Sequence, residues 1–333
     1  MPLKYSGVIA EHRAVREASG LFDVSHLGKL VVSGEGSVAF LDALLPGKVQ
    51  ELPEWKAGYN LVLNSGGGIV DDIFVYRLPD QLLVVPNASN TLKVLEILKE
   101  AAPKEITVED ARMKWAILAL SGREAKAIGA SICPEAADLR LHSFGEFDIA
   151  GTPVLVARTG YTGEFTLEFF VPWERTVEFW KSLIEAGETR GLLPTGLGAR
   201  DTLRLEMGYP LHGHEIDEET NPVEAGLSWL IRWDKASFIG REAVLEVRGS
   251  GPQRKLVGLL AEGREIPREG YPILHQEAKV GELTSGNFSP TLSKGIAMGY
   301  VPIELAQEGT MLTVEVRGRE LRMKVVTPPF VES

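Results

Sequence analysis

Cysteine is nearly absent from this 333-residue chain, where Cys133 stands alone. One cysteine closes no internal disulfide and builds no multi-cysteine metal site. Beside Pro134, and with no histidine arranged to activate it, Cys133 reads as a small apolar residue. Positive charge is also in deficit, with 35 Lys and Arg against 46 Asp and Glu, a net charge of −11. That argues against nucleic acid as a general partner, because phosphate binding needs a basic surface. A local basic pocket for an acidic small molecule stays open. No apolar run approaches a membrane span, and Met1-Pro2-Leu3-Lys4 begins no signal peptide, so the reading is a cytoplasmic protein without a membrane partner. Neither GxGxxG nor GxxxxGK[ST] occurs, which leaves no nucleotide-binding fold indicated. Hydrophobic residues at 44% and charged residues at 24% are those of a globular chain long enough for two or three domains with cores.

The most informative stretch that is present runs from Tyr59 to Tyr76, YNLVLNSGGGIVDDIFVY. Two β-rich runs flank Asn64-Ser65-Gly66-Gly67-Gly68 and predict a hairpin, 59–63 paired with 69–77. A four-residue loop, Ser65 to Gly68, would pair Asn64 with Ile69 and Tyr59 with Phe74, so that Tyr59 and Asp72 share one face. Asp71 and Asp72 interrupt the second strand, where aspartate is disfavoured. Strict alternation puts Asp72 on one face with Val70, Phe74 and Tyr76. A carboxylate among aromatics costs several kcal/mol to bury unless a polar group meets it. One reading is an edge strand with Asp71 solvated and Asp72 capping a backbone amide. The other is a strand that carries a working carboxylate into a ligand cavity.

In chain order, residues 8–19 have helical spacing and end at Gly20. KLVVSG predicts a strand, 37–45 a helix, and QLLVV a strand that stops at Pro86-Asn87. Asn90 is placed to cap the helix TLKVLEILKEAA, with an apolar stripe of Leu92, Leu95 and Leu98. The middle third repeats the pattern with WAILAL, a helix over 122–130, strands near 140–148, 153–157 and 166–171, and a helix from Pro172 to Ala186 that buries Trp173, Val177 and Trp180. Interleaved strands, helices and hairpins predict an α+β protein with two split β-α-β units rather than one doubly wound sheet. After Gly249-Ser250-Gly251-Pro252 five short strands, KLVGLLAE, AKVGELTSG, KGIAMGYVP, TMLTVEV and ELRMKVV, predict a C-terminal antiparallel barrel or sandwich. The expected boundary lies near 245–253, dividing residues 1–245 from 253–333.

Several side-chain groups have the chemistry of a site. Arg158-Thr159-Gly160-Tyr161-Thr162-Gly163-Glu164 is a turn dense in hydrogen-bonding groups, and Glu168 follows within TLEFF. Asp72 and Glu168 read as equivalent anomalies in two similar halves. Arg200 and Arg204 lie one helical turn apart. Arg204 is read as a salt bridge within its helix. Arg200 stands at the helix start, where a cation gains nothing from the macrodipole, and so points to an anionic partner. His212-Gly213-His214-Glu215 with Asp217, Glu218 and Glu219 has no closed metal spacing. It reads as a solvated acidic loop before a helix start at Asn221-Pro222, and no metal site is assigned.

Assembled, these segments resemble the glycine cleavage system T-protein (aminomethyltransferase) family. The matching stretches are GLFDVSHLGKL, YNLVLNSGGGIVDDIFVYRL, VVPNASN, RTGYTGE, GLGARDTLRLEMGYPLHGHEIDEETNPVEAGL, FIGRE and GNFSPTLSKGIAMGYVP, in family order from about residue 7 to 303. The resemblance implies a three-lobed, ring-like fold around tetrahydrofolate. It also implies transfer of an aminomethylene carbon from the lipoyl arm of the H-protein to that folate, with release of ammonia. By the same resemblance Asp72 matches the catalytic aspartate, while Tyr59, Tyr161 and Glu168 match folate-binding positions, with Glu168 on the donor edge of the pterin. Arg200 matches an arginine of the folate site, and Asn87 lies in a loop lining the pocket. Relatives usually carry a further stretch before the point where this chain begins, so part of the first lobe is expected to be missing. Their usual GEDGFE is GEFTLE here, with Phe165-Thr166 beside the pocket, and the end TPPFVES lacks the usual aromatic tail.

Two other activities belong to the same superfamily. Folate-dependent demethylases use a similar pocket with another one-carbon donor; the fused flavin enzymes among them need a flavin domain that this chain lacks. A non-enzymatic folate-binding branch carries a cysteine in a KGCxxGQE-like motif and lacks the working aspartate. Here the stretch is Lys235-Ala236-Ser237-Phe238-Ile239-Gly240-Arg241-Glu242, without cysteine, and Asp72 is present, which favours the enzyme.

Overall fold

Alternating apolar strands and striped helices need a second layer to bury their apolar faces. A computed structural model, which describes residues 1–263, 265–316 and 318–332, shows how this chain supplies one. The chain divides into two compact units. The first comprises Met1–Leu63, Val70–Ala199 and Leu230–Ile239; the second comprises Asn64–Ile69, Arg200–Trp229 and Gly240–Ser333.

In the first unit, β1 (Ser19–Asp23) precedes a run of five strands, β2 (Leu30–Ser33), β3 (Lys56–Leu63), β4 (Ile69–Arg77), β5 (Gln81–Val85) and β6 (Thr107–Asp110). These five form a sheet in the order β3-β4-β5-β2-β6. Helices Ser37–Leu44 and Thr91–Ala101 cover one face, where Leu41, Val94 and Leu98 pack on Val32, Val62, Val75 and Val84. Strand-helix-strand, hairpin, strand-helix-strand with this spatial order is the expected split β-α-β unit, with β3 added at its edge.

A six-stranded sheet follows, from β7 (Trp115–Ser121), β8 (Phe144–Ile149), β9 (Thr152–Ala157), β10 (Thr166–Pro172) and β11 (Leu192–Pro194), joined by β1 in the order β11-β1-β7-β10-β9-β8. It repeats the same plan, with β1 wedged between β7 and β11 and paired parallel to β11. This topology corrects one expectation. β4 corresponds to β9, and β10 corresponds to β5, so Asp72 and Glu168 are not at equivalent positions of the two halves. β4 also lies between β3 and β5 and is not an edge strand.

Cys133 packs in the core of this second sheet among Leu120, Ile128 and Leu167. The helix expected from Pro172 begins as a short turn, Trp173–Arg175, and becomes α-helical over Thr176–Gly187. Its buried side is Phe179 and Leu183, with Trp180 half-buried beside them. Trp173 and Val177 are 43% and 68% exposed, contrary to the sequence reading, which placed the stripe one step away from the face that meets the sheet. Leu92 likewise faces solvent while Val94 and Leu98 are buried.

The second unit carries the closed antiparallel barrel β12 (Arg254–Ala261), β13 (Pro272–His275), β14 (Ala278–Ser289), β15 (Lys294–Pro302), β16 (Met311–Val316) and β17 (Arg319–Val326). Full closure leaves no edge for unwanted pairing. Of the six barrel strands, the sequence reading lacks the four-residue β13, because PILH is too short to show a period. Asn221-Pro222 opens a series of turns rather than a helix.

Candidate active site

The hairpin loop is tighter than its sequence predicts. Asn64 N–H donates to Gly68 O at 2.9 Å and Gly67 N–H donates to Asn64 O at 3.0 Å, with Gly67 at φ 79°. That is a three-residue loop closed by a left-handed glycine, not a four-residue one. Regular strands leaving such a loop would put Tyr59 opposite Ile73 and send Asp72 to the other face. The side chains show otherwise. Tyr59 Oη donates to Asp72 Oδ2 at 2.9 Å, and its ring lies 5.5 Å from that of Phe74. Val70 and Ile73, three residues apart, both enter the helix-covered core. Alternation therefore breaks once between them, at the paired aspartates, as in a β-bulge. The shorter loop and this break offset each other, so Tyr59 and Asp72 share a face as expected, whereas Val70 does not join them.

The break also brings the two carboxylates together on one partner. Asn87 Nδ2 donates to Oδ1 of Asp71 and to Oδ1 of Asp72, each at 2.8 Å. Asn87 N–H donates to Asp71 Oδ2 at 2.9 Å, and Asn90 Nδ2 to Asp71 Oδ1 at 2.7 Å. Asn90 was expected to cap its helix; its amide serves Asp71 instead. The edge-strand reading left Asp71 in solvent, yet it is 0% exposed. Burial and the neighbouring Asp72 charge push its carboxyl up to about 6, against the opposing pull of Asn90 and Asn87. The Tyr59 phenol is likewise held protonated well above its ordinary range, by burial and then by Asp72.

Below Asp72 on the same strand, Phe74 and Tyr76 continue the row, with ring centroids 6.2 Å apart. Tyr76 meets Phe144 and Phe170 of the six-stranded sheet edge-on, each at 5.4 Å. Its hydroxyl lies 3.2 Å from Thr159 Oγ1 and donates to Glu168 Oε2 at 3.4 Å. Thr159 Oγ1 also donates to Glu168 Oε2. Both hydrogen bonds thus fall on one oxygen of a carboxylate that is 9% exposed, and none to Oε1 occurs among the described residues. A carboxylate loaded on one side keeps acceptor capacity on the other. Burial, and then the Glu168 charge, hold the Tyr76 phenol protonated.

Tyr161 belongs to the turn between β9 and β10, and its phenol adds to the shift of Tyr59. The turn is fixed from beneath: Arg16 donates to Thr162 O at 2.8 Å and pairs with Glu164 at 2.9 Å, while Ser121 Oγ lies 2.6 Å from Thr162 Oγ1 and 2.7 Å from Thr166 Oγ1. Phe165 takes the Arg158 guanidinium over its ring at 3.8 Å, a cation–π contact that accounts for an aromatic at this position. His142 stacks edge-on against Phe74 at 6.0 Å, and burial followed by Arg158 holds its imidazole low.

Tyr59, Asp72, Asn87, Tyr161 and Glu168 thus all belong to the first unit, where aromatic contacts link the two sheets. Arg200 belongs to the second unit, half-buried in the first turn of helix Leu197–Glu206. Arg204 in that helix reaches Asp201 at 2.8 Å, the expected intrahelical bridge, but its deeper partner is Glu215 at 2.7 Å. Glu215 is fully buried, so it leaves the solvated acidic loop assigned to it. Among the described residues no cluster of three or more His, Cys, Asp or Glu is placed to hold a metal. Sequence reasoning gave Asp71, Asn90 and Tyr76 no part in the site and named Thr159 only within its turn. Their signals were a second aspartate, an asparagine three residues after Asn87, and a tyrosine four residues after Asp72.

Comparison with known proteins bears on what this arrangement does. A family model described as the GCVT N-terminal domain matches residues 1–235, and one described as the glycine cleavage T-protein C-terminal barrel domain matches residues 254–332. An aminomethyltransferase of Halothermothrix orenii is 44% identical over 99% of this chain and 93% of its own. One of Frankia alni is 45% identical over 100% of this chain and 92% of its own. The crystal structure of the glycine cleavage system aminomethyltransferase T from Bartonella henselae superimposes with a TM-score of 0.92 at 35% identity, covering 99% of this chain and 91% of that one. No helix among the described residues is long and apolar enough to cross a membrane. Two matching domains in order, and relatives this similar over more than nine-tenths of their length, make the chain a member of the glycine cleavage T-protein family of aminomethyltransferases.

Proposed function

We propose that this chain is a tetrahydrofolate-dependent aminomethyltransferase of the glycine cleavage system, moving the aminomethylene carbon from lipoylated H-protein to tetrahydrofolate with release of ammonia. The observation that carries this reading is the Asp72 carboxylate, held by Tyr59 at 2.9 Å and by Asn87 at 2.8 Å on a face that continues through aromatic rings to Glu168. Tetrahydrofolate supplies two nucleophilic nitrogens that take up the one-carbon unit. Everything else is work for the protein.

Glu168 is assigned to the pterin. A pterin amide edge presents parallel N–H donors, and a buried carboxylate whose Oε1 takes no bond among the described residues accepts them well. Tyr59 and Tyr161 are assigned as walls, with Tyr59 also fixing one oxygen of Asp72. Asp72 is assigned as the catalytic residue: its carboxylate holds or takes a proton at the reacting nitrogen and stabilises positive charge as it develops on the transferred carbon. Asn87 orients Asp72, and Arg200 is assigned to an anionic group of the folate. Placement of folate beside the lipoyl methylene supplies much of the remaining acceleration. The domain boundary is proposed near 245–253, and the protein is placed in the cytoplasm, where its lipoyl partner would be.

The direct test is an assay of the purified protein with aminomethyl-lipoyl H-protein and tetrahydrofolate. Formation of methylenetetrahydrofolate and ammonia in equal amounts is the expected result. Transfer only from methylated amines would reassign the chain to the demethylases, and folate binding without turnover would reassign it to the non-enzymatic branch.

A further inference from the structure

Asp71 has no place in the mechanism above, yet it is the most completely enclosed carboxylate near Asp72. It is 0% exposed, and it accepts Asn87 N–H, Asn87 Nδ2 and Asn90 Nδ2 at 2.9, 2.8 and 2.7 Å. Three donors aimed at one buried carboxylate are a costly arrangement unless the charge itself is useful, because an asparagine or a small apolar residue would be easier to bury there. The Asn87 amide that binds Asp71 is the one that binds Asp72 Oδ1 at 2.8 Å and Asp72 O at 3.2 Å. The strand gives up its regular alternation at this point, which is what lets both carboxylates reach one amide.

We propose that Asp71 is a positioning residue: it locks the Asn87 amide against Asp72 and, as a like charge beside it, raises the basicity of the Asp72 carboxylate. This rests on the reading of Asp72 as the catalytic residue. Two carboxylates this close cannot both ionise freely, so a proton is retained by the pair at higher pH than by either alone. The shift of Asp71 to about 6 is consistent with such sharing. Tyr59 from β3 faces the pair and, across Tyr59, so does Tyr161 from the β9–β10 turn, both of them phenols. Asn87 and Asn90 also face it and do not titrate.

The test compares pH profiles of kcat/KM for aminomethyl transfer to tetrahydrofolate in wild type, Asp71→Asn and Asn90→Asp. Asp71→Asn removes the neighbouring charge, and the acid limb should move down by on the order of one pH unit. Asn90→Asp adds a charge on the far side of Asp71, and the limb should move up. Opposite shifts from two substitutions that leave Asp72 untouched are not produced by loosened packing, which lowers the whole profile without moving it. An unmoved limb in Asn90→Asp, or shifts of the same sign in both variants, would overturn the proposal even if Asp71→Asn failed to fold. Asp72→Asn, run alongside, separates the two readings. If it is inactive while the limbs stay fixed, only the role of Asp71 falls. Full activity in Asp72→Asn removes the catalytic assignment and this proposal with it.

Discussion

The Tyr59 hydroxyl donates to Asp72 Oδ2 at 2.9 Å, joining two strands of one hairpin across a loop whose length alone would have separated them. The bond, with Asn87 on the other oxygen, leaves the carboxylate a single orientation. A group so fixed acts on charge that develops during reaction more than on bound substrate. Asp72→Asn should therefore lose most turnover, roughly a hundredfold or more, with folate affinity nearly unchanged. Steady-state kinetics beside calorimetric folate titration measures both. Near wild-type turnover would remove Asp72 from the catalytic role.

Glu168 is expected to act in binding. Glu168→Gln replaces one acceptor oxygen with a donor. Thr159 and Tyr76 both donate to Oε2, so the amide oxygen should stay with them and the new N–H₂ should meet the pterin's own donors. A buried mismatch of this kind costs about 1–3 kcal/mol, or roughly 5- to 150-fold in dissociation constant. Calorimetry with tetrahydrofolate reads it directly, and unchanged affinity would move Glu168 out of the pterin site.

In the second unit, Arg204 is 2% exposed and faces the fully buried Glu215 at 2.7 Å. Glu215 also accepts Leu211 N–H at 3.0 Å and Thr284 Oγ1 at 2.7 Å. Arg204→Met strands that carboxylate without its cation, at a cost of about 3–5 kcal/mol. Denaturant unfolding should show a large loss, and the double variant Arg204→Met with Glu215→Gln should recover part of it. A single-variant loss below about 1 kcal/mol would mean that the pair is not the structural tie inferred here.

Glu11 gives a pH dependence of known sign. Burial raises its carboxyl, but bonds from Gly7, Gly196, Tyr5 and Ser6 outweigh it and leave the folded-state value lowered. A lowered carboxylate contributes stability that is present above its unfolded value and lost as pH falls through its folded one. The wild type should therefore lose anchorage of residues 5–7 only in acid, below the ordinary glutamate range, whereas Glu11→Gln should lack it already at neutral pH. Limited proteolysis of the first residues against pH checks this; identical cleavage of both proteins at neutral pH would contradict it.

The sequence by itself determined the type of most elements, the α+β class and the C-terminal barrel, and it singled out the carboxylates set in strands. Those signals are local: apolar period, turn glycines, and carboxylates set in β-branched runs. It did not determine which helix face is buried at Trp173 and Val177, because two adjacent stripes of that helix are both apolar and only the packed sheet chooses between them. Nor did it determine where β1 would pair, since a five-residue strand fits any open edge and its partner β11 lies far along the chain. The sharpest case is the aspartate pair. Period-two reasoning assumed unbroken alternation and a four-residue loop, and two errors of one residue each cancelled to leave Tyr59 and Asp72 on one face. One of its two readings left Asp71 in solvent. Only the tertiary structure decides a bulge, because the cost of breaking the ladder is set against contacts with Asn87 and Asn90 that come from another strand's end.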